Sequence, residues 1–81
     1  MRVTVRVFAR LREILGASEL EREVPEGATV RTVWDALASE HASIAPYASS
    51  ISAARNLEYV PMSPPVADGD EIAFLPPVSG G

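Results

Sequence analysis

Glu71-Ile72-Ala73-Phe74-Leu75-Pro76-Pro77-Val78-Ser79-Gly80-Gly81 closes the chain. Ile72 and Phe74 share one side of an alternating run and Ala73 and Leu75 the other, which is the period of a β-strand. Proline fixes φ and donates no N–H, so the sheet ladder cannot continue through Pro76 and Pro77. The chain is expected to leave the body there as an extended arm. The six residues from Pro76 to Gly81 would reach roughly 18–20 Å at ~3.1–3.3 Å per residue. Gly80 and Gly81 place no side-chain atom beside the terminal carboxylate. Such an end can thread a narrow channel and let a nucleophile or a nucleotide approach closely. A frayed, solvated terminus is the competing reading, since Gly-rich ends often have no task. The proline brake, with a strand leading directly into it, tips the balance toward the Gly81 carboxylate as the working group.

Working outward, the opening of the chain has a matching pattern. Val3, Val5 and Val7 alternate with Thr4, Arg6 and Phe8, again the period of a strand with one buried face. Phe8 has the wrong parity for the valine face, so its ring covers a neighbouring loop or belongs to a docking patch. Leu11, Ile14 and Leu15 have the spacing of a short helix stopped by Gly16. Leu20 to Val24 reads as a polar-rich strand ending at the Pro25-Glu26-Gly27 turn, which makes a hairpin with the first strand.

Thr29 is suited to cap the next helix. Val30, Val33, Trp34, Leu37 and Ala38 form one stripe of it, while Arg31, Asp35, Ser39 and Glu40 face away. Trp34 on that stripe reads as core, and His41 at the helix end as a partner for the helix dipole rather than a ligand or base. After a loop around Pro46-Tyr47, Ile51–Arg55 and Glu58–Val60 read as short strands about a tight Asn56-Leu57 turn. Asp68-Gly69-Asp70 launches the last strand. Its carboxylates, with Glu71, lack the spacing of a calcium loop and read as a solvated turn. The first and last strands both carry a buried face and are expected side by side and parallel at the sheet centre. The long helix lies in the crossover between them. Periodicity alone leaves several α+β folds compatible with this order.

Composition narrows the function classes. Eighty-one residues at 47% apolar make one modest core, and no apolar run approaches a membrane span. The start lacks the apolar block of a signal peptide, so the cytoplasm is the expected location. The absence of cysteine excludes disulfides, thiolate metal sites and a cysteine nucleophile. A net charge of −4 argues against nucleic acid and suits a basic protein partner. Every cation is an arginine, which leaves no side-chain amine to receive an isopeptide bond. A compositional bias toward arginine would produce the same pattern. No second histidine and no convergent carboxylate pair supports a metal or acid–base site.

Three segments together resemble one family: Phe8-Ala9-Arg10-Leu11-Arg12-Glu13, Asp68-Gly69-Asp70-Glu71-Ile72-Ala73 and the ending Pro76-Pro77-Val78-Ser79-Gly80-Gly81. They are similar to the small, sulfur-carrier subunit of molybdopterin synthase, of the MoaD/ThiS type, and the similarity spans the whole chain. Asn56 falls where that family has an asparagine turn. The resemblance implies a β-grasp, ubiquitin-like α+β fold, with a mixed sheet of four to five strands packed on one main helix. Residues 1–75 would form the body and 76–81 an extended, flexible tail.

The resemblance also implies a chemistry. An E1-like enzyme would use ATP to adenylate Gly81, a sulfur donor would convert it to a thiocarboxylate, and no cofactor would be bound by this chain itself. Pro76, Pro77, Val78, Ser79 and Gly80 would thread into the large synthase subunit, in a heterotetramer. There the sulfur would pass to cyclic pyranopterin monophosphate to build the dithiolene that binds molybdenum. Catalytic acids and bases are then expected in the partner, not here. The docking patch beside the tail would be Phe8, Tyr59 and Leu75, although plain sheet-edge packing also accounts for Tyr59. Rival readings are a sulfur carrier for thiamine or tRNA thiolation, a ubiquitin-like protein modifier, and an interaction domain with an inert tail.

Overall fold

A computed structural model describes residues 1–77 of the chain. Strands β1 (Arg2–Val7), β2 (Glu19–Glu23), β3 (Ser52–Arg55), β4 (Glu58–Val60) and β5 (Glu71–Leu75) form one mixed sheet in the order β2-β1-β5-β3-β4. Helices α1 (Ala9–Leu15) and α2 (Val30–Glu40) and a 3-10 helix (Ala42–Tyr47) complete the β-grasp arrangement. The expected central pairing is present: β1 and β5 run parallel, with Val5 opposite Ile72 and Val7 opposite Phe74.

That register puts the two alternating patterns in phase. Val3, Val5, Val7, Ile72 and Phe74 all point to one face and are essentially inaccessible to solvent. Val30, Val33, Trp34 and Leu37 of α2 are buried with them. The Trp34 and Phe74 rings meet edge to face, with centroids 5.1 Å apart and planes at 69°, a geometry that suits the quadrupoles of both. Trp34 is therefore a core residue. Leu11 from α1 and Ile44 from the 3-10 helix, two elements that touch each other, join the same core, and Gly16 terminates α1 in the left-handed region at φ 73°.

The start of α2 shows where sequence patterning stops being informative. A helix begins with four backbone N–H groups that lack intrahelical partners. Thr29 and Thr32 satisfy two of them reciprocally: Thr32 N–H donates to Thr29 Oγ1 (3.2 Å) and Thr29 N–H to Thr32 Oγ1 (3.0 Å). The other two donate to the proline-rich loop, Val30 N–H to the Pro64 carbonyl (3.1 Å) and Arg31 N–H to the Met62 carbonyl (2.9 Å). The stiffness of Pro61, Pro64 and Pro65 holds those carbonyls in place.

Three boundaries differ from expectation. Strand β2 is Glu19–Glu23 rather than 20–24. Val24, just beyond it, is buried because its N–H and carbonyl both pair with Met1 at 2.8 Å. Strand β1 ends at Val7, and Phe8 becomes the residue before α1. Strand β3 starts at Ser52, one residue after Ile51. Leu20 and Arg22 take the half-buried side of β2, and the Arg22 guanidinium reaches Glu40 at the end of α2 through two bonds of 3.0 and 3.1 Å. This fork-on-fork geometry ties an edge strand to the helix.

The Asp68-Gly69-Asp70 turn is more organised than a solvated turn. Asp68 Oδ1 accepts from the Arg2 N–H (2.7 Å) and Asp70 Oδ2 from the Ala67 N–H (2.8 Å). Asn56 bridges to it from the β3–β4 turn: its Nδ2 donates to Asp70 Oδ1 (3.1 Å), and its Oδ1 accepts from the Glu71 N–H (2.9 Å). Its side chain thus prolongs the β3–β5 pairing past the last paired residues. Asn56→Ala removes both bonds and leaves alanine at φ 50°, so urea unfolding is expected to show a loss of ~2–3 kcal/mol. A loss below ~0.5 kcal/mol would mean that this bridge does not hold the turn.

Candidate functional site

The site is assembled at the C-terminal end of β5. Leu75 is the last paired residue of that strand, opposite Ser52 of β3. Pro76 is half-buried and Pro77 exposed. The remaining predicted tail residues, Val78, Ser79, Gly80 and Gly81, lie outside the described residues. The tail is therefore rooted in a central strand, held on one side by β1 and on the other by β3.

Strand parity sorts the residues around this root. Ile72 and Phe74 go inward, leaving Ala73 and Leu75 on the outer face, half-exposed. One row across that face runs Arg6, Ala73, Ala54, Tyr59. The two alanines make a low floor beside Tyr59, which is 75% exposed. The β1–β5 register continued by one step sets Phe8 level with Leu75. Phe8 is still extended (φ −132°, ψ 160°) and makes no side-chain cap to α1. Ala9, at φ 51°, turns the chain sharply into the helix and leaves Phe8 38% exposed. The structure thus places Phe8 and Leu75 at the tail-side end of the outer face, with Tyr59 one row further from the tail. A groove of about 450 Å³ adjoins the root, with Ile51, Ser52, Tyr59, Val60 and Met62 among its walls.

The other half of the outer face is charged. Glu19, Glu21 and Glu23 of β2 are exposed, Arg2 pairs with Glu21 (3.6 Å) and Glu23 (3.0 Å), and Arg6 pairs with Glu71 (3.6 Å). Such exposed pairs add little stability, but they keep this half hydrated and its edge strand closed to other chains. The face is divided into an apolar half beside the tail and a charged half away from it. Ala54 and Ala73, which build the floor, were not singled out from sequence; small residues at outward strand positions are the signal that marks them. Asp68 and Asp70 are engaged in the turn already described, and His41 closes α2 through its backbone N–H to the Leu37 carbonyl (2.9 Å). Among the described residues, no three His, Cys, Asp or Glu side chains gather into a group that could hold a metal ion, and no helix is long and apolar enough to cross a membrane.

Residues 5–81 match the ThiS family. The chain is 37% identical over 79 residues to the molybdopterin synthase sulfur carrier subunit of Arabidopsis thaliana, covering 98% of this chain and 82% of the relative. It is 33% identical over 84 residues to small archaeal modifier protein 1 of Haloferax volcanii, covering 94% and 97% of the two chains. The crystal structure of that protein superposes with a TM-score of 0.89 at 31% identity over the full length of both chains. A chain of the Amycolatopsis orientalis BexX/CysO complex superposes with a TM-score of 0.75 at 30% identity, over 98% of this chain and 99% of that one.

The parity assignment makes a direct prediction. Tyr59→Arg should shift the thermal midpoint by no more than a few degrees, because most of that side chain already faces water, and Phe8→Arg, whose ring is partly covered, should cost more without preventing folding. Phe74→Arg, next to Leu75 but on the inner face, should prevent folding. Circular dichroism melts of the three variants check this, and a large loss for Tyr59→Arg would show that its ring packs where this face is drawn as open.

Proposed function

The chain belongs to the ThiS family, and from that premise we propose that it is the sulfur-carrier subunit of a molybdopterin synthase. The observation that carries the reading is the position of the tail's root at Leu75. That root belongs to the sheet's central strand, flanked by the exposed apolar half of the outer face, and the tail sequence ends Val78-Ser79-Gly80-Gly81. The likeness to the Arabidopsis thaliana carrier subunit over nearly the whole chain supports the same reading.

A carboxylate resists nucleophilic attack because its charge is shared between two oxygens. Attack of the Gly81 carboxylate on the α-phosphate of ATP, in a separate adenylating enzyme, releases pyrophosphate and leaves an acyl-adenylate. A sulfur donor then displaces AMP and leaves a thiocarboxylate. In the large synthase subunit the sulfur is transferred to cyclic pyranopterin monophosphate, and hydrolysis returns the carboxylate. This chain's contribution is positional: Pro76 and Pro77 hold the tail straight, and Gly80 and Gly81 let it enter a channel closed to side chains. The apolar half of the outer face seats the partner, which supplies the acids, bases and substrate contacts. A modifier role, with Gly81 joined to another protein's amine, is the second reading, favoured by the likeness to small archaeal modifier protein 1. The acyl-adenylate step is common to both.

Intact mass spectrometry after incubation with an adenylating enzyme, ATP and a sulfur donor tests the reading. One oxygen-to-sulfur exchange is expected, localised to Gly81, and it should be absent when Gly81 is deleted. The core of the described residues is complete without Gly81, so the same deletion should leave the thermal midpoint nearly unchanged. An unmodified Gly81 with every component present would contradict the carrier reading.

A further inference from the structure

Leu57 sits where the fold itself would favour a different residue. Asn56 and Leu57 form the β3–β4 turn with φ of 50° and 74°, the double left-handed geometry of a type I′ hairpin turn. Asparagine accepts that geometry at the first position. The second strongly favours glycine, because a β-carbon crowds the following carbonyl there. Leucine takes this position here, and 89% of it is exposed to water. A glycine would relieve the backbone strain and remove the exposed apolar surface. Neither the turn nor the core explains the side chain, and strain at an exposed position points to use by something outside the fold.

Its placement indicates what that is. The Asn56 N–H donates to the Glu71 carbonyl (2.8 Å), which fixes the hairpin tip beside the start of β5. The tail leaves the other end of the same strand, about 13 Å away at ~3.3 Å per residue. Tyr59 lies between, two residues from Leu57 and in the row with Ala54 and Ala73. Among the described residues, Phe8, Leu57 and Tyr59 are the exposed large apolar side chains, and they follow a band from the tail root to the hairpin tip. A standard interface covers ~800 Å² of each partner, a disc roughly 30 Å across. A protein seated on the tail root would therefore also reach the tip. The surroundings of Leu57 are mainly acidic: Glu58 follows it and is exposed, Asp70 is hydrogen-bonded to Asn56 beneath it, and the nearby cation, Arg55, opposite Glu58, turns its guanidinium to the Pro65 carbonyl (2.8 Å). The opposite edge of the sheet, with three outward glutamates on β2, offers no comparable apolar surface.

We propose that Leu57 is an anchor for the protein that receives the tail, inserted into an apolar socket rimmed by basic side chains on that partner. This rests on the carrier reading, and it adds a contact at the end of the sheet remote from the tail. It gives a role to a residue that destabilises the free domain: the strained turn presents the side chain in place before the partner arrives.

The test uses the full chain and the purified large subunit of molybdopterin synthase, with affinity measured by calorimetry and stability by thermal melting. Leu57→Gly is expected to raise the thermal midpoint by a few degrees while weakening binding on the order of tenfold. Leu57→Asn, which also tolerates the left-handed region, should weaken binding similarly, and Leu57→Met should retain wild-type affinity within about twofold. Leu75→Arg serves as the control at the tail root and should abolish binding. If Leu57→Gly binds as the wild type does while Leu75→Arg does not bind, the anchor is overturned and the carrier reading stands. If the wild-type chain does not bind the large subunit, both are overturned. A fall in the midpoint of Leu57→Gly would show that the fold uses the side chain. Sedimentation showing wild-type self-association that Leu57→Gly removes would make a second copy of this chain the occupant. Either result overturns the proposal.

Discussion

The parallel pairing of β1 with β5 is the constraint on which everything else depends. It places Val3, Val5 and Val7 in phase with Ile72 and Phe74, so that a single buried face is available for α2 to cover. A slip of one residue would turn Phe74 to water and Leu75 into the core. The same register decides the outer face, since each inward residue fixes its neighbours as outward. Core and candidate docking surface are thus two sides of one hydrogen-bonded ladder. The pairing also joins the first strand to the last, so the strand from which the tail leaves lies between β1 and β3.

Around that ladder the molecule keeps order and exposure apart. Polar devices organise the ends of elements remote from the tail: the Thr29–Thr32 reciprocal cap, the Asn56–Asp70 bridge and the Arg22–Glu40 fork. Near the tail, the outer face is left to alanines and to Phe8, Tyr59 and Leu75. The non-glycine residues with positive φ, Ala9, Asn56 and Leu57, flank this surface. Ala9 redirects the chain immediately after Phe8, and Leu57 stands at the far end of the same band. Backbone strain therefore accompanies the positions that present apolar groups to solvent.

Much of the fold was legible because its signals are local. The parity of β1 and β5, the stripe on α2, the stop at Gly16 and the Asn56-Leu57 turn each depend on residues a few positions apart. What was not legible depends on backbone groups meeting across the chain. No side-chain pattern announces that the Pro64 and Met62 carbonyls complete the first turn of α2, or that Asp68 accepts from Arg2. Ala28, Ile44 and Val66 are buried in segments without periodicity, so nothing in their spacing marked them. At the site, the off-core parity of Phe8 and Leu75 could be read directly, whereas their alignment with each other and with the Ala54–Ala73–Tyr59 row required the register. The resemblance to carrier subunits, carried by the Phe8–Glu13, Asp68–Ala73 and Pro76–Gly81 segments, agrees with the ThiS family match over residues 5–81.

The central claim is that a tail held by the middle of the sheet delivers one atom of sulfur and is returned unchanged. The most direct measurement is a single-turnover reaction in which this chain, carrying radioactive sulfur at Gly81, is mixed with the large subunit and cyclic pyranopterin monophosphate. The account predicts that the label leaves the protein and appears in the pterin, with Gly81 recovered as a carboxylate. Label that stays on Gly81, or a carrier that ends covalently attached to another protein, would contradict it.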